Sequence, residues 1–175
     1  MANIRSKNDR AIAAYLASVV AAVNPAVEIY TTNVSTTRKL PLVDVLTAQG
    51  AENPPFSGNH TLSVRVRVEF PAANDPNTTN PQENRLALDA MADAVFDAFH
   101  LCDNGCDYSA TAAAITAAGN ALAVSDPVNH ADMADYTCLQ FLGVEYAGGV
   151  DDGETTSFVE MIKFSSVAAP LGGLS

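Results

Sequence analysis

Positive charge is scarce in this sequence. Nine Lys and Arg stand against twenty Asp and Glu, a formal charge of −11 over 175 residues. Holding phosphate backbones needs clustered bases, so general nucleic-acid binding is excluded, and an acidic surface repels a duplex. Cysteine is scarce too, and odd in number: Cys102, Cys106 and Cys138. The first ten residues, Met1 to Arg10, carry no apolar core behind a basic head, so export is not expected and reduced thiols are the default. No apolar run is long enough to span a bilayer, and no membrane partner is expected. Gly-x-Ser-x-Gly, Gly-x4-Gly-Lys-Ser/Thr and Gly-x-Gly-x-x-Gly are all absent. With them go the usual signatures of an activated serine and of a phosphate-cradling loop, so no enzymatic activity and no cofactor are expected.

What is present is enough for one domain. Apolar residues make up 48% of the chain, sufficient for a single sizeable core at this length. The clearest stretch is His60 to Pro71, where Leu62, Val64, Val66, Val68 and Phe70 alternate with Ser63, Arg65, Arg67 and Glu69. A period of two puts the apolar set on one face of a strand and leaves the other face polar.

Around that strand the chain reads as alternating elements. Ser6 is placed to cap a first helix, with Asp9 reaching back. Ile12, Tyr15, Leu16, Val19, Val20 and Val23 form its stripe before Asn24-Pro25 stops it. Val27 to Asn33 reads as a short strand. Residues 35–59 read as a long loop, within which Leu40, Leu42, Val43, Val45 and Leu46 suit a brief strand or a helical turn. Asn80 is a good N-cap, Pro81 sits at the first helical position and Glu83 completes a capping box. A second helix is predicted over Pro81–Phe99, with Leu88, Met91, Ala92, Val95, Phe96 and Phe99 inward. Asp89, Asp93 and Asp97, four apart, line up on its other side, where a plain solvated face is the alternative reading.

Ser109 suits the cap of a weakly amphipathic, Ala-rich third helix through Leu122, inside an Ala-rich insertion over 102–135. Tyr136–Tyr146 and Thr156–Val167 read as two strands joined by Gly- and Asp-rich hairpin chemistry. Residues 168–175 read as a flexible tail. The predicted fold is a single α+β domain over 1–175: an antiparallel or mixed sheet of about four strands with helices packed on one face.

Chemistry-bearing residues are few. His100, Cys102 and Cys106 lie close in sequence, with His130 and Cys138 elsewhere. A Cys-x3-Cys without a second matched pair is a weak zinc pattern, and no metal site is expected. A Cys102–Cys106 bridge and plain core cysteines at 102 and 138 are the competing readings. Asp103-Asn104-Gly105 and Asp151-Asp152-Gly153-Glu154 lack the continuing oxygen ligands of a calcium loop and read as turns. Arg38 with Lys39, and Arg65 with Arg67, are candidates for contact with acids of a neighbouring subunit, or with the chain's own acids.

The order of elements resembles the tail terminator (tail completion) proteins of long-tailed bacteriophages and their relatives at the head–tail junction. The features that carry the likeness are the first helix ending at Asn24-Pro25, the alternating strand Thr61–Phe70, the capped helix Asn80–Phe99 after a polar loop, and the paired strands Tyr136–Tyr146 and Phe158–Phe164. The insertion over 102–135 departs from the compact version.

The resemblance implies a ring, commonly sixfold, that forms from copies of the chain in the host cytoplasm and becomes part of the virion. It would contact the tail tube protein on one side and a head connector or neck protein on the other. DNA would pass through without specific binding, and no reaction would be catalysed. On that reading Asp89, Asp93 and Asp97, or the acids of the insertion, face the lumen, and the loop 35–59 and tail 168–175 reach adjacent subunits. Two other readings stay open: a small metal protein or enzyme using His100, Cys102 and Cys106, and a soluble adaptor that binds one protein through Arg65 and Arg67.

Overall fold

A computed structural model describes residues 4–31, 38–48, 58–72, 81–100, 108–147 and 157–170. The elements are α1 (Ile4–Val23), β1 (Glu28–Thr31), β2 (Leu42–Thr47), β3 (His60–Pro71), α2 (Pro81–Phe99), α3 (Ser109–Ser125), the short α4 (Pro127–His130) with a 3-10 turn (Ala131–Asp135), β4 (Tyr136–Tyr146) and β5 (Ser157–Pro170). The strands form one mixed sheet in the order β1-β2-β3-β5-β4. β1 runs parallel to β2, and every other pairing is antiparallel. The fold is α+β, with the helices packed on the sheet.

The alternation in β3 sets the layers. Leu62, Val64, Val66, Val68 and Phe70 are all 2% exposed or less. Opposite them in register lie Ser166, Phe164, Ile162, Glu160 and Phe158 of β5. This face is roofed by helices: Ile12, Leu16 and Val20 of α1, and Leu88, Met91, Val95 and Phe99 of α2, complete the core cluster. The apolar stripe expected for α2 is thus seated on the sheet, and that of α1 is seated through Ile12, Leu16 and Val20, while Val23 at its end is 41% exposed.

Four sequence expectations are corrected. The sheet has five strands against the about four expected, because Leu42–Thr47 takes the brief strand rather than the helical turn that the long loop offered. α1 begins at Ile4, so Ser6 lies inside it and is not its cap. Asp9 instead turns inward, where its Oδ1 accepts from the Thr47 backbone N–H at 2.7 Å. Ser109 is the first residue of α3, and Tyr108 occupies the cap position with no side-chain hydrogen bond. Finally, β5 continues to Pro170, so residues 168–170 belong to the sheet and not to a tail.

α3, expected only as part of an insertion, is integral to the helical layer. Thr111, Ala112, Ile115 and Gly119 are buried. Gly119 is where α3 meets α1 and the start of β4: a Cβ there would lie 3.0 Å from the Ala11 methyl and 3.1 Å from the Tyr136 ring. Small residues thus earn this helix its place by close approach rather than by a broad apolar face.

A polar thread crosses the same junction. The Tyr136 hydroxyl donates to Asn8 Oδ1 at 2.7 Å, and Asn8 Nδ2 donates to Thr47 Oγ1 at 2.8 Å. Tyr136 and Asn8 are fully buried, so each polar atom needs the partner it has. Nearby, Arg10 grips Asp132 with both guanidinium nitrogens, at 3.0 and 2.5 Å. That contact holds the Asp132 carboxyl below the usual carboxylate range.

Candidate functional site

The side chains of β3 that point away from the helices define a second sheet face, buried toward Tyr30, Leu42, Asp44, Glu69 and Ser157 and exposed at Ser63 and Arg65. Across it the register sets Asp44 of β2 beside Arg67 of β3, and Leu46 beside Arg65. Arg67 then faces Met161 of β5, and Arg65 faces Lys163. The next partner of Lys163 is Glu145 of β4.

The expected basic candidates divide on this face. Arg38 donates to Asp44 at 2.5 Å and lies over the Tyr30 ring at 6.0 Å. Arg67 donates to Glu69, which also accepts from the Ser157 hydroxyl at 2.5 Å. Both therefore meet the chain's own acids. Lys39 is exposed, and its backbone N–H donates to the Tyr30 hydroxyl at 3.2 Å. Arg65 is exposed.

β4 forms one border of this face. Its pairing with β5 slips between Cys138 and Gln140 and again between Phe141 and Val144. Each slip is a β-bulge, one extra residue on β4 that re-aims the side chains after it. The bulges keep Tyr136, Cys138 and Phe141 buried while exposing Leu139 and Leu142, at 48% and 49%. Gly143, in the second bulge, has φ +107°, a conformation that favours glycine. The bulge opens a cleft of about 490 Å³ between β4 and β5, lined in part by Ser63, Tyr108, Lys163 and Ser165. The outer side of β4 pairs with no described strand.

The three acids of α2 stand on the outward side of that helix. Asp89 pairs with Arg85 at 3.2 Å, Asp93 accepts from the Tyr146 hydroxyl at 2.5 Å, and Asp97 is exposed. Partial burial, and then the bond to Asp93, push the Tyr146 hydroxyl well above an ordinary phenol. The Tyr146 ring stacks on Phe96 with centroids 4.6 Å apart, so α2 and the end of β4 are locked together.

The remaining candidates are scattered. Cys138 is buried, as a core cysteine should be, and burial pushes its thiol up to about 11. His100 stacks on Phe96 at 5.9 Å, while Cys102 and Cys106 lie outside the described residues, as do residues 35–37 and 49–57 of the loop and residues 171–175. His130 Nδ1 sits 3.1 Å from the Arg10 guanidinium, remote in the fold from α2. Among the described residues no group of three or more His, Cys, Asp or Glu is arranged to hold a metal ion, and no helix is long and apolar enough to cross a membrane.

Sequence reasoning found the alternation of β3 but missed the bulges of β4, and with them Leu139 and Leu142. The signal was there: in Tyr136–Tyr146 apolar residues fall at 136, 138, 139, 141, 142 and 144, a broken alternation with Gly143 inside it. No family model matches the chain, and no curated protein matches it closely enough to stand as a relative.

Proposed function

We propose that this chain is a structural subunit that assembles with copies of itself into a ring at the tail end or head–tail junction of a long-tailed bacteriophage. The ring terminates the tail tube and leaves a passage for DNA. Its own work is adhesion, without a reaction. The observation that carries the reading is the open border of the sheet: one face is roofed by three helices, and the edge strand β4 pairs with no described strand on its outer side and leaves Leu139 and Leu142 half exposed. An unpaired edge with apolar side chains is a liability for an isolated chain and an asset for an assembling one. The order of helices and strands resembles the tail-terminator pattern, from which α3 and α4 depart. The acid excess suits a conduit through which a duplex slides rather than sticks.

Mass in solution tests this. Native mass spectrometry and negative-stain images of the purified chain should show a closed ring of uniform size. Replacing Leu139 and Leu142 together by Asp should shift the population toward single chains. A wild-type chain that stays monomeric at high concentration overturns the proposal.

A further inference from the structure

The bulge at Leu142 and Gly143 pulls β4 away from β5, and the cleft it opens, about 490 Å³, has the size of a small-molecule site. Its walls divide by chemistry. Leu142, Val144 and Phe164 give an apolar side, while Ser63, Ser165 and Tyr108 bring hydroxyls. Two charges line it as well, Lys163 of β5 and Glu145 of β4. They are partners in the β4–β5 register, where opposite charges ordinarily pair. Here their side chains form no ion pair, with each other or with another described residue. Arg10, Arg38, Arg67 and Arg85, by contrast, each hold an acid. On its far side Lys163 faces Arg65. The order across the sheet is therefore one anion, Glu145, then two cations. A simple anion in the cleft would meet Glu145, and a simple cation would meet Lys163 and Arg65. A molecule that carries both charges satisfies all three.

We propose that this cleft binds a small zwitterion, an α-amino acid with an apolar side chain. The ligand carboxylate lies toward Lys163 and Arg65, its ammonium toward Glu145, and its side chain against Leu142, Val144 and Phe164. Ser63 and Ser165 stand directly opposite each other, two residues along each strand from Arg65 and Lys163. Their hydroxyls donate to carboxylate lone pairs that the cations leave over. Gly143 contributes by what it lacks: a Cβ there would stand 3.7 Å from the Tyr108 ring, inside the wall that the two residues share. Every lining residue comes from one chain, so the site is complete in a single copy and does not rest on the ring reading.

Calorimetric titration of the full-length protein with L-leucine, L-leucinamide and N-acetyl-L-leucine tests it. The amide has lost the carboxylate and the acetyl derivative has lost the ammonium. Wild-type protein should bind L-leucine and take each derivative about tenfold more weakly or worse, since each forfeits one charge-assisted contact. Glu145→Gln should weaken L-leucine to the level of N-acetyl-L-leucine and erase the preference between those two. Lys163→Gln should narrow the preference for L-leucine over the amide in the same way. Neither side chain is buried, so the thermal melts of the unliganded variants should match wild type. A change of preference is a readout that loss of structure alone would not give. No binding of L-leucine at millimolar concentration overturns the proposal. Equal binding of all three probes by wild type does so too, without recourse to the variants, and so do variants that keep the wild-type preferences.

Discussion

Single side chains at the junction of α1, α3 and β4 settle much of the stability. Tyr136 is wholly buried and its hydroxyl donates to Asn8. Tyr136→Phe should leave the Asn8 oxygen without that donor and lower stability by about 1–3 kcal/mol in urea titration. Gly119 faces the Ala11 methyl, the Tyr136 ring and the Met133 terminus, all within 3.2 Å of where a Cβ would stand. The alanine methyl is fixed to its backbone and the tyrosine is tethered, so neither can retreat cheaply. Gly119→Ala would gain up to about 1 kcal/mol of helix propensity, but overpacking costs about 1–3 kcal/mol. A net fall in melting temperature is expected.

The Arg10–Asp132 pair gives a pH signature. The carboxyl of Asp132 is lowered in the folded chain, chiefly by its bond to Arg10. Its contribution is therefore present above the unfolded carboxylate pKa and is lost as pH falls through the folded value. The pair is partly exposed, so screening keeps the effect to about 1 kcal/mol or less. Asp132→Asn should lower stability at neutral pH and have no effect at strongly acidic pH, as denaturant midpoints at both pH values would show.

Elements that obey one period were readable from the sequence, and elements that change period were not. β3 keeps a period of two from Leu62 to Phe70, and its buried face follows from that alone. α1 and α2 hold a three-four spacing and were placed to within a few residues, α2 with its predicted ends. For β2 a strand and a helical turn stayed open, because Leu42–Thr47 is short, sits among prolines and glycines, and is buried at Leu42, Val43, Asp44, Val45 and Thr47. A strand covered on both sides does not alternate. β4 was placed correctly as an element, but its two bulges shift the phase, so which of its side chains are exposed was not legible. Gly143 is the hinge of that shift. The nearest atoms to a Cβ there belong to Tyr108, at ordinary contact distance, so the cost of Gly143→Val lies in the backbone, at about 1–3 kcal/mol. Hydrogen exchange should report faster opening of the β4–β5 pairing than of β3–β5 in that variant.

For the molecule as a whole, charge and layering act together. The excess of acid makes DNA a poor ligand. The full chain should not retain duplex DNA in a gel shift at physiological ionic strength, and clear retention would argue against a repulsive passage. The candidate surfaces were half legible. Arg65 on a polar strand face and the Asp93–Asp97 line on a helix were both visible as local patterns. Their placement on opposite sides of the molecule depends on which strand neighbours which, and nothing local encodes that.

The order of the strands carries a consequence for how the sheet is made. β5 lies between β3 and β4, pairing His60 with Ala168 on one side and Tyr136 with Pro170 on the other. The last of the described strands in chain order is therefore an interior one. Until it arrives, β3 has a single neighbour and β4 has none. The nascent chain must hold a gap open in the middle of its own sheet, and closing that gap across most of the chain's length is the step expected to set the folding rate. It is also the interval in which another strand could take the vacant place.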